Sequence, residues 1–291
     1  MENRKMKIVT DSGCDLPKEC LEKAGVACIR LGFLLSGVEY HGDCGEEISP
    51  SDFYDKMRAG ALPTTYQVSP ESAKSCMERC LEEGFDVLAV TFSSGLSGTA
   101  NSFLIAKKEL AEQYPERKIF VVDSLCASLG QGLLLHYVLK KADEGAPIEE
   151  VYEYAQGLKM SVSHQFTVND LFHLKRGGRV SSATALVGTM MNIKPILHVN
   201  DEGKLIPIGK VMGRKKSLHR LFEILLETNE LEEEDPIYIS HADCLADAEF
   251  LKETIEKSFP KNPVFISYIG PVIGAHAGCG TVALFFKAKM R

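Results

Sequence analysis

Short apolar runs alternate with helical patterns along the first 160 residues of the chain. The runs hold consecutive apolar side chains, which is typical of buried strands. Strands that alternate with helices favour a parallel sheet with helices on both of its faces. Strands are predicted at 7–10, 26–35, 86–92 and 118–123, and helices at 49–58, 69–83, 97–113 and 127–142.

The pattern changes near residue 160. Apolar runs at 193–199 and 204–211 flank Asn-Asp-Glu-Gly, a sequence typical of a β-hairpin turn. We therefore predict an α/β protein of two domains, an N-terminal parallel-sheet domain over residues 1–160 and a C-terminal α+β domain over 161–291. No low-complexity linker separates them, so we expect a ligand in the cleft between them. The other elements predicted here are strands at 165–168, 236–240, 264–269 and 281–287, a short helix before 174, and helices at 215–229 and 245–258.

Composition places the chain among ordinary soluble proteins. Of its 291 residues, 45% are hydrophobic and 25% are charged. No stretch approaches the roughly 20 apolar residues of a membrane span, and the N-terminus holds only Ile8 and Val9 as an apolar stretch, so no signal peptide is predicted. The nine cysteines are scattered without a Cys-x-x-Cys motif, so we predict neither zinc nor a disulfide framework. The expected location is the cytoplasm.

The charge of the chain is unevenly distributed. A net charge of −7 argues against general binding of nucleic acids. Residues 171–220 nevertheless carry ten Lys or Arg against Asp201 and Glu202, a local charge of +8. This basic segment indicates an acidic partner, a phosphate or an anionic membrane surface, although a solvated surface explains it equally well. Its cations are Lys175, Arg176, Arg179, Lys194, Lys204, Lys210, Arg214, Lys215, Lys216 and Arg220.

The sequence TFSSGLSGTA at 91–100 follows a predicted strand and opens a predicted helix. A P-loop is excluded because the turn has no lysine. The motif G-x-S-x-G of serine hydrolases is missed by one residue at 95–98, which leaves a Ser97-dependent acyl hydrolase as the alternative function. A dinucleotide-type motif at 278–283 precedes a strand-like run rather than a helix, so it carries little weight.

A carboxylate is the ligand that this turn suits best. A helix N-terminus offers unpaired N–H donors and a partial positive charge, and the glycines let an anion approach the backbone. Capping of the helix by Ser94 or Ser97 explains one hydroxyl but not a cluster of four. The hydroxyl donors of the turn are Ser93, Ser94, Ser97 and Thr99.

Two further polar segments have the same character. Thr64, Thr65 and Gln67 form an extended segment before a helix that Ser69 caps, free to turn toward a ligand. Residues 269–281 place four glycines around His276, which predicts a loop that brings the imidazole to a ligand. A hydrogen-bonded histidine of the core is the alternative for His276.

Taken together, these segments resemble the DegV family of bacterial fatty-acid-binding proteins. The likeness runs nearly end to end, and six motifs in one order make it specific. The motifs are Val9-Thr-Asp-Ser12 with Asp15-Leu-Pro17, Pro63-Thr-Thr-x-Gln67, Ser93 to Thr99, Val122-Asp-Ser124 with Ser128 to Gly132, Leu174 to Val180, and Gly270 to Gly278.

The resemblance implies a buried tunnel for one long-chain fatty acid of the C14–C18 class, with no other cofactor and no metal. It also implies a carrier rather than an enzyme, one that presents the carboxylate to a partner fatty acid kinase for phosphorylation by ATP. By this likeness Thr65, Ser94 and Ser97 contact the carboxyl group and His276 lies nearby. Arg176 or Arg179 supports that network or docks the kinase, and the basic segment docks the kinase or touches an anionic membrane.

Three positions depart from the usual family pattern. Tyr66 and Val68 stand where Ser and Pro are usual, and Cys279 replaces a Pro. Val68 and Cys279 relax the backbone, whereas Tyr66 is placed to crowd or to hydrogen-bond the ligand. The hydroxyl and imidazole positions of the motifs are kept.

Overall fold

The structure is a computed structural model that describes residues 6–42, 47–169, 171–181, 192–289 and 291. Within these residues, strands form a four-stranded sheet, a three-stranded sheet and a six-stranded sheet. No helix of the described part is both long and apolar enough to span a bilayer. The eight cysteines in it are free thiols, and the ninth, Cys44, lies outside the described residues.

The four-stranded sheet is the parallel sheet that the sequence predicts. Its order is β2-β1-β6-β7, with every pair parallel. Every residue of β6 is buried, as expected for a central parallel strand covered on both faces. The strands are β1 (Met6–Asp11), β2 (Ala27–Ile29), β6 (Asp86–Thr91) and β7 (Ile119–Asp123), and the helices of this half are α1 (Lys18–Lys23), α2 (Pro50–Arg58), α3 (Pro70–Glu82), α4 (Thr99–Gln113), α5 (Leu129–Asp143) and α6 (Ile148–Leu158).

One predicted strand is wrong as a single element. The run 26–35 divides at Arg30 into β2 of the parallel sheet and β3 (Leu31–Leu35) of a separate antiparallel sheet. The backbone N–H of Leu31 donates to Ser12 Oγ at 2.9 Å, which fixes the start of the second strand. The antiparallel sheet has the order β4-β3-β5, with β4 at Val38–Gly42 and β5 at Thr64–Tyr66.

The C-terminal half contains a six-stranded mixed sheet of order β10-β9-β8-β13-β11-β12. The predicted hairpin is confirmed, because β9 and β10 pair antiparallel. The remaining pairs are antiparallel except β11 with β12. The elements are β8 (Val162–Thr167), α7 (Phe172–Arg176), β9 (Ile193–Val199), β10 (Leu205–Met212), α8 (Arg214–Thr228), β11 (Ile237–His241), α9 (Leu245–Ser258), β12 (Val264–Tyr268), α10 (Pro271–Ala277) and β13 (Val282–Lys287).

The glycine-rich segment 269–281 is a short helix rather than the predicted loop. Pro271 occupies the first helical position, where its fixed φ suits the helix and its missing N–H costs nothing. Gly278 ends the helix with φ +82°, a conformation that favours glycine. His276 therefore lies in the last turn of a helix, in a fixed position.

The predicted fold class is confirmed: a parallel-sheet α/β half is followed by a half with a mixed sheet. The predicted domain boundary near residue 160 falls in the 3-10 turn Lys159–Ser161 and stays a prediction. The helix α6, just before this turn, was not predicted from the sequence.

Candidate functional site

An apolar cavity of about 340 Å³ lies between the parallel sheet and the six-stranded sheet. This volume is within the range of small-molecule binding sites in proteins. Alternate residues of β8 and β13 line one wall, because one face of the six-stranded sheet turns toward the cavity. The apolar lining residues are Leu31, Phe92, Leu96, Ala127, Phe166, Leu174, Val199, Leu205, Ile269, Val272, Ile273, Ala277, Ala283 and Phe285.

Thr65 and His276 form the central polar contact of the cavity. Thr65 Oγ1 and His276 Nε2 are 2.8 Å apart, and both residues line the cavity. Side chains alternate along a strand, so β5 directs Thr65 and Thr64 to opposite faces. Thr65 accordingly meets the imidazole while Thr64 is exposed.

The environment of His276 keeps its imidazole neutral. Burial, followed by the positive charges of Arg179 and Arg176, lowers the pKa of His276 to about 4. Its Nδ1 is buried against Gly177, where a β-carbon would collide with the ring, and it has no hydrogen-bond partner within the described residues. With the proton on Nε2, the ring donates to Thr65 Oγ1 and leaves the threonine hydroxyl free to donate to a ligand.

The turn at 91–100, called the hydroxyl turn below, brings Ser97 to the same cavity. Ser97 Oγ is 3.0 Å from Thr99 Oγ1 and accepts the N–H of Thr99, the first residue of α4, at 3.3 Å. The N–H of Val68 donates to Thr99 Oγ1 at 3.4 Å, and the side chain of Gln67 lies over Gly98. These contacts join the segment after β5 to the turn before α4. The three polar segments singled out in the sequence therefore lie together.

Arg179 supplies the cationic group of the cavity. Among the described residues that line it, Arg179 is the one with a charged side chain at neutral pH, and none is a lysine. Its guanidinium donates to the carbonyl of Gly177, beside His276. Burial lowers the pKa of Arg179, yet a guanidinium stays protonated in proteins. A carboxylate in the cavity thus meets hydroxyls, a neutral imidazole and one cation.

Arg176 lies outside the cavity lining and holds two segments of the site. Its Nη2 donates to the carbonyl of Pro63 at 2.9 Å and to that of Ala275 at 3.1 Å. Pro63 precedes β5, and Ala275 precedes His276 in α10. Arg176 therefore fixes the distance between the strand that carries Thr65 and the helix that carries His276.

Three other residues predicted as ligand contacts, Thr64, Ser93 and Ser94, do not line the cavity. Ser93 is fully buried and donates to the carbonyl of Gly203, in the β9–β10 turn, at 2.8 Å. Ser94 is exposed, and its backbone N–H donates to Asp123 at 3.1 Å. The β9–β10 turn packs against Ser93 in the hydroxyl turn. Of the three serines in the hydroxyl turn, Ser97 is the one that lines the cavity.

The contacts of Ser97 do not support the acyl hydrolase. Within the described residues, the hydroxyl of Ser97 is paired with Thr99 rather than with a histidine. His276 pairs with Thr65, and a second cavity histidine, His164, is occupied by the backbone of Val162 and Ala127. The pair of nucleophile and base that a serine hydrolase needs is therefore not formed around Ser97 by the residues that the structure describes.

Sequence reasoning missed three polar residues of the lining, Ser128, His164 and Thr281. Ser128 donates to Asp15 at 2.5 Å, and Thr281 donates to the carbonyls of Ala277 and Gly278. Their polar atoms are thus satisfied by the protein, which keeps this part of the cavity suited to an apolar ligand. Nothing in the composition of the motif around Ser128 indicates a cavity position.

The departures from the family pattern leave the polar contacts in place. The ring of Tyr66 covers Gly32, and its hydroxyl donates to Glu39 at 2.6 Å, away from His276. Burial and this contact raise the pKa of Tyr66 to about 12. Val68 is buried, and Cys279 follows the end of α10.

Comparisons with known proteins agree on one family. Residues 5–289 match the family described as "Uncharacterised protein, DegV family". A DegV domain-containing protein of Clostridium perfringens is 43% identical over 283 residues, 97% of each chain. A Thermotoga maritima structure described as revealing a fatty acid binding function is 33% identical, covers 98% of this chain and 99% of that chain, and has a TM-score of 0.83.

A third relative shares the fold. The fatty acid kinase B3 protein of Streptococcus pneumoniae, solved with linoleic acid, is 22% identical, covers 98% of this chain and 100% of that chain, and has a TM-score of 0.85. These solved relatives thus hold fatty acids as ligands. No cluster of three metal-ligating side chains occurs within the described part of this chain.

Proposed function

The chain belongs to the DegV family, and from this premise we propose that it binds one long-chain fatty acid in the cavity between its sheets. The ligand's carboxylate lies at Thr65, Ser97, His276 and Arg179, and its acyl chain lies along the apolar walls. The observation that carries this proposal is the Thr65–His276 contact at 2.8 Å, together with Ser97 and Arg179, in a cavity whose lining is mostly apolar.

The acyl chain supplies most of the affinity. Burial of roughly fifteen methylenes is worth about 12 kcal/mol at ~0.8 kcal/mol each, before the freedom lost on binding is subtracted. Hydrogen bonds to a charged head group add only about 1.5–3 kcal/mol each. The polar residues therefore orient the carboxylate more than they retain the ligand.

We further propose that the chain presents this carboxylate to a fatty acid kinase, which forms an acyl phosphate with ATP. A tightly paired lysine would hold the carboxylate and weaken its attack on phosphorus. Hydroxyls and a neutral imidazole hold carboxylate and acyl phosphate about equally well. Arg179 or His276 then stabilises the added charge of the phosphoryl group. The likeness of fold to a fatty acid kinase B3 protein supports this role.

Exposed lysines at the start of α8 are the proposed docking site for the kinase. Arg214, Lys215 and Lys216 lie at the positive end of the helix, whose first turn contains no acid, an arrangement that does not stabilise a helix. Arg214 is engaged internally by Asp247 and Gly280, so it is not free to dock. Lys215 and Lys216 are exposed, and neither forms an ion pair with any described residue. Contact with an anionic membrane during acyl exchange is the second proposed use of these lysines.

Extraction of the purified protein tests the binding proposal. Denaturing solvent extraction followed by mass spectrometry is expected to release about one C14–C18 fatty acid per chain. A protein that carries no acid, and takes up none when incubated with stearic acid, contradicts the proposal. Ester hydrolysis that is lost in Ser97→Ala would instead support the hydrolase.

A further inference from the structure

The turn that follows β1 reaches two segments of the cavity wall through Asp15. Asp15 is 6% exposed and has φ +51°, a conformation uncommon outside glycine. Its Oδ2 accepts the hydroxyl of Ser128 at 2.5 Å, and its Oδ1 accepts the N–H of Gly270 at 3.0 Å. Ser128 lines the cavity, and Gly270 is the residue from which α10 begins.

The last residue of β1 and the first residue of this turn hold two more segments of the wall. Asp11, which is fully buried, accepts the N–H of Phe92 at 2.7 Å. The hydroxyl of Ser12 accepts the N–H of Leu31 at 2.9 Å. Phe92 and Leu31 both line the cavity. Side chains at 11–15, which include the end of β1 and the turn after it, therefore hold four separate segments of the cavity wall.

The contact between Asp15 and Gly270 affects the proposed head-group contacts, because His276 lies on the helix that follows Gly270. The helix α10 is only seven residues long, and Gly270, the residue just before it, has no side chain that could cap it. Asp15 holds its first end, while Arg176 holds the carbonyl of Ala275 near its last. A β-carbon at Gly270 would lie 2.6 Å from Asp15 Oδ1, so the two groups fit only because this residue is glycine.

We propose that Asp15 is a positioning residue that fixes α10 so that His276 meets Thr65 and the ligand's carboxylate. This inference rests on the proposed binding of a fatty acid. Asp15 does not line the cavity, so it acts on the ligand through Gly270 and the helix. The substitution Asp15→Asn preserves the arrangement, because the oxygen of the new amide accepts from Gly270 while its NH₂ donates to Ser128 Oγ.

Binding of [1-¹³C]stearic acid, followed by NMR of the labelled carboxyl carbon, tests the inference. Asp15→Ala is expected to move the bound resonance toward that of free stearate. Binding should weaken by no more than about tenfold, because burial of the acyl chain dominates affinity and at most one hydrogen bond to the carboxylate is lost. Asp15→Asn is expected to restore the resonance and to bind within about twofold of the unsubstituted protein. The resonance of stearic acid labelled at its methyl end is expected to stay in place in both variants.

Asp86→Ala is the matched control. Asp86 is also buried and also accepts a backbone N–H, that of Lys118, but at the opposite end of the parallel strands. This variant should lose stability without moving the carboxyl resonance. If Asp15→Ala does not fold, Gly270→Ala replaces it, since its added methyl group displaces the same contact and should move the same resonance.

The outcomes separate the two proposals. A bound resonance that is unchanged in Asp15→Ala, or in Gly270→Ala where the first variant does not fold, overturns the positioning role. A shift of equal size in Asp86→Ala also overturns it, because the effect is then one of general destabilisation. An unsubstituted protein that shows no bound resonance contradicts the proposed function itself.

Discussion

Thr65 and His276 are 211 positions apart in the sequence, yet their side chains are in hydrogen-bond contact. Alternation along β5 turns Thr65 inward, and α10 holds His276 above it. Because its pKa is lowered to about 4, the imidazole is neutral at pH 7 and can donate one hydrogen bond without adding charge. The pair is therefore proposed to orient the ligand's carboxylate, with Arg179 as the cationic group of the cavity lining.

Replacement of His276 by Ala separates binding of the fatty acid from its phosphorylation. Stearic acid should still bind, because burial of the acyl chain dominates affinity. Kinase-dependent formation of acyl phosphate should slow tenfold to a hundredfold, which corresponds to about 1.5–3 kcal/mol for one hydrogen bond to a charged group. Initial rates with radiolabelled ATP and a fatty acid kinase catalytic subunit measure this effect.

His41→Ala is the control for that measurement, because His41 is exposed on β4 rather than on the helix that is proposed to dock the kinase. Its turnover should equal that of the unsubstituted protein. Unchanged turnover in His276→Ala removes the proposed role of the imidazole.

The chemistry of the site was readable from the sequence, but the choice among similar residues was not. Hydroxyls around glycines and an isolated imidazole indicate Thr65, Ser97 and His276, all of which line the cavity, and their contact with a ligand stays a prediction. The sequence could not distinguish Ser97 from Ser93, because Ser93 donates its hydrogen bond to the carbonyl of Gly203, 110 positions away. Such long-range contacts leave no local signal.

At the scale of elements, local signals placed most helices and strands, and tertiary contacts decided the exceptions. Ser49 and Ser69 cap α2 and α3 as their positions before Pro predict. The division of 26–35 depends on the distant hydroxyl of Ser12, which the apolar pattern cannot show. The segment 269–281 looked like a loop because of its glycines, although Pro271 was a helix-start signal within it.

The exposed lysines at the start of α8 are predicted to bind the partner kinase. Lys215→Glu with Lys216→Glu reverses two exposed charges and leaves the buried contacts of Arg214 intact. Acyl phosphate formation should fall mainly through a higher KM for the loaded protein, and the loss should shrink as salt is raised. Titration of the kinase with stearate-loaded protein at two ionic strengths measures both effects.

A control pair on other surfaces carries the same change of charge. Lys23 and Lys257 are exposed on α1 and α9, and their replacement by Glu should leave KM unaltered. Equal effects of the two pairs would show that overall charge matters rather than the start of α8. Pelleting with vesicles rich in phosphatidylglycerol tests for a membrane contact. If the lysines bind membranes, less of the Lys215→Glu, Lys216→Glu protein should pellet than of the unsubstituted protein.

At the scale of the whole molecule, both halves of the chain contribute to the cavity. Leu31, Thr65 and Ser97 come from the first half, and His276 and Phe285 from the second. The apolar pattern predicted buried faces for these strands and helices, but it could not distinguish an apolar residue of the core from one that lines a cavity. That distinction depends on how closely the two sheets approach each other.

Buried ionisable groups make the stability of the ligand-free protein depend on pH. Burial lowers the pKa of five histidines, and that of His276 to about 4. In the pH window between its folded and its unfolded pKa, each histidine binds a proton in the unfolded chain but not in the folded one. Stability therefore rises with pH through that window. Burial raises the pKa of Asp11 to about 6 and of Asp15 to about 7, and these two act in the opposite direction. The five histidines are His136, His164, His198, His241 and His276.

Between about pH 4 and 6.5, His276 makes the slope of the free energy of unfolding against pH more positive, and Asp15 makes it more negative. Urea denaturation followed by circular dichroism at several pH values measures this slope. His276→Gln should lower the slope, whereas Asp15→Asn should raise it. A slope that is the same in both variants as in the unsubstituted protein contradicts the assigned shifts.

A crystal structure of the protein incubated with stearic acid tests the central claim most directly. We expect continuous density for one acyl chain between the two sheets, with a carboxyl oxygen within hydrogen-bond distance of Thr65 Oγ1 and Ser97 Oγ. An empty cavity, or a stearate bound with its carboxyl group away from Thr65 and Ser97, would contradict the claim.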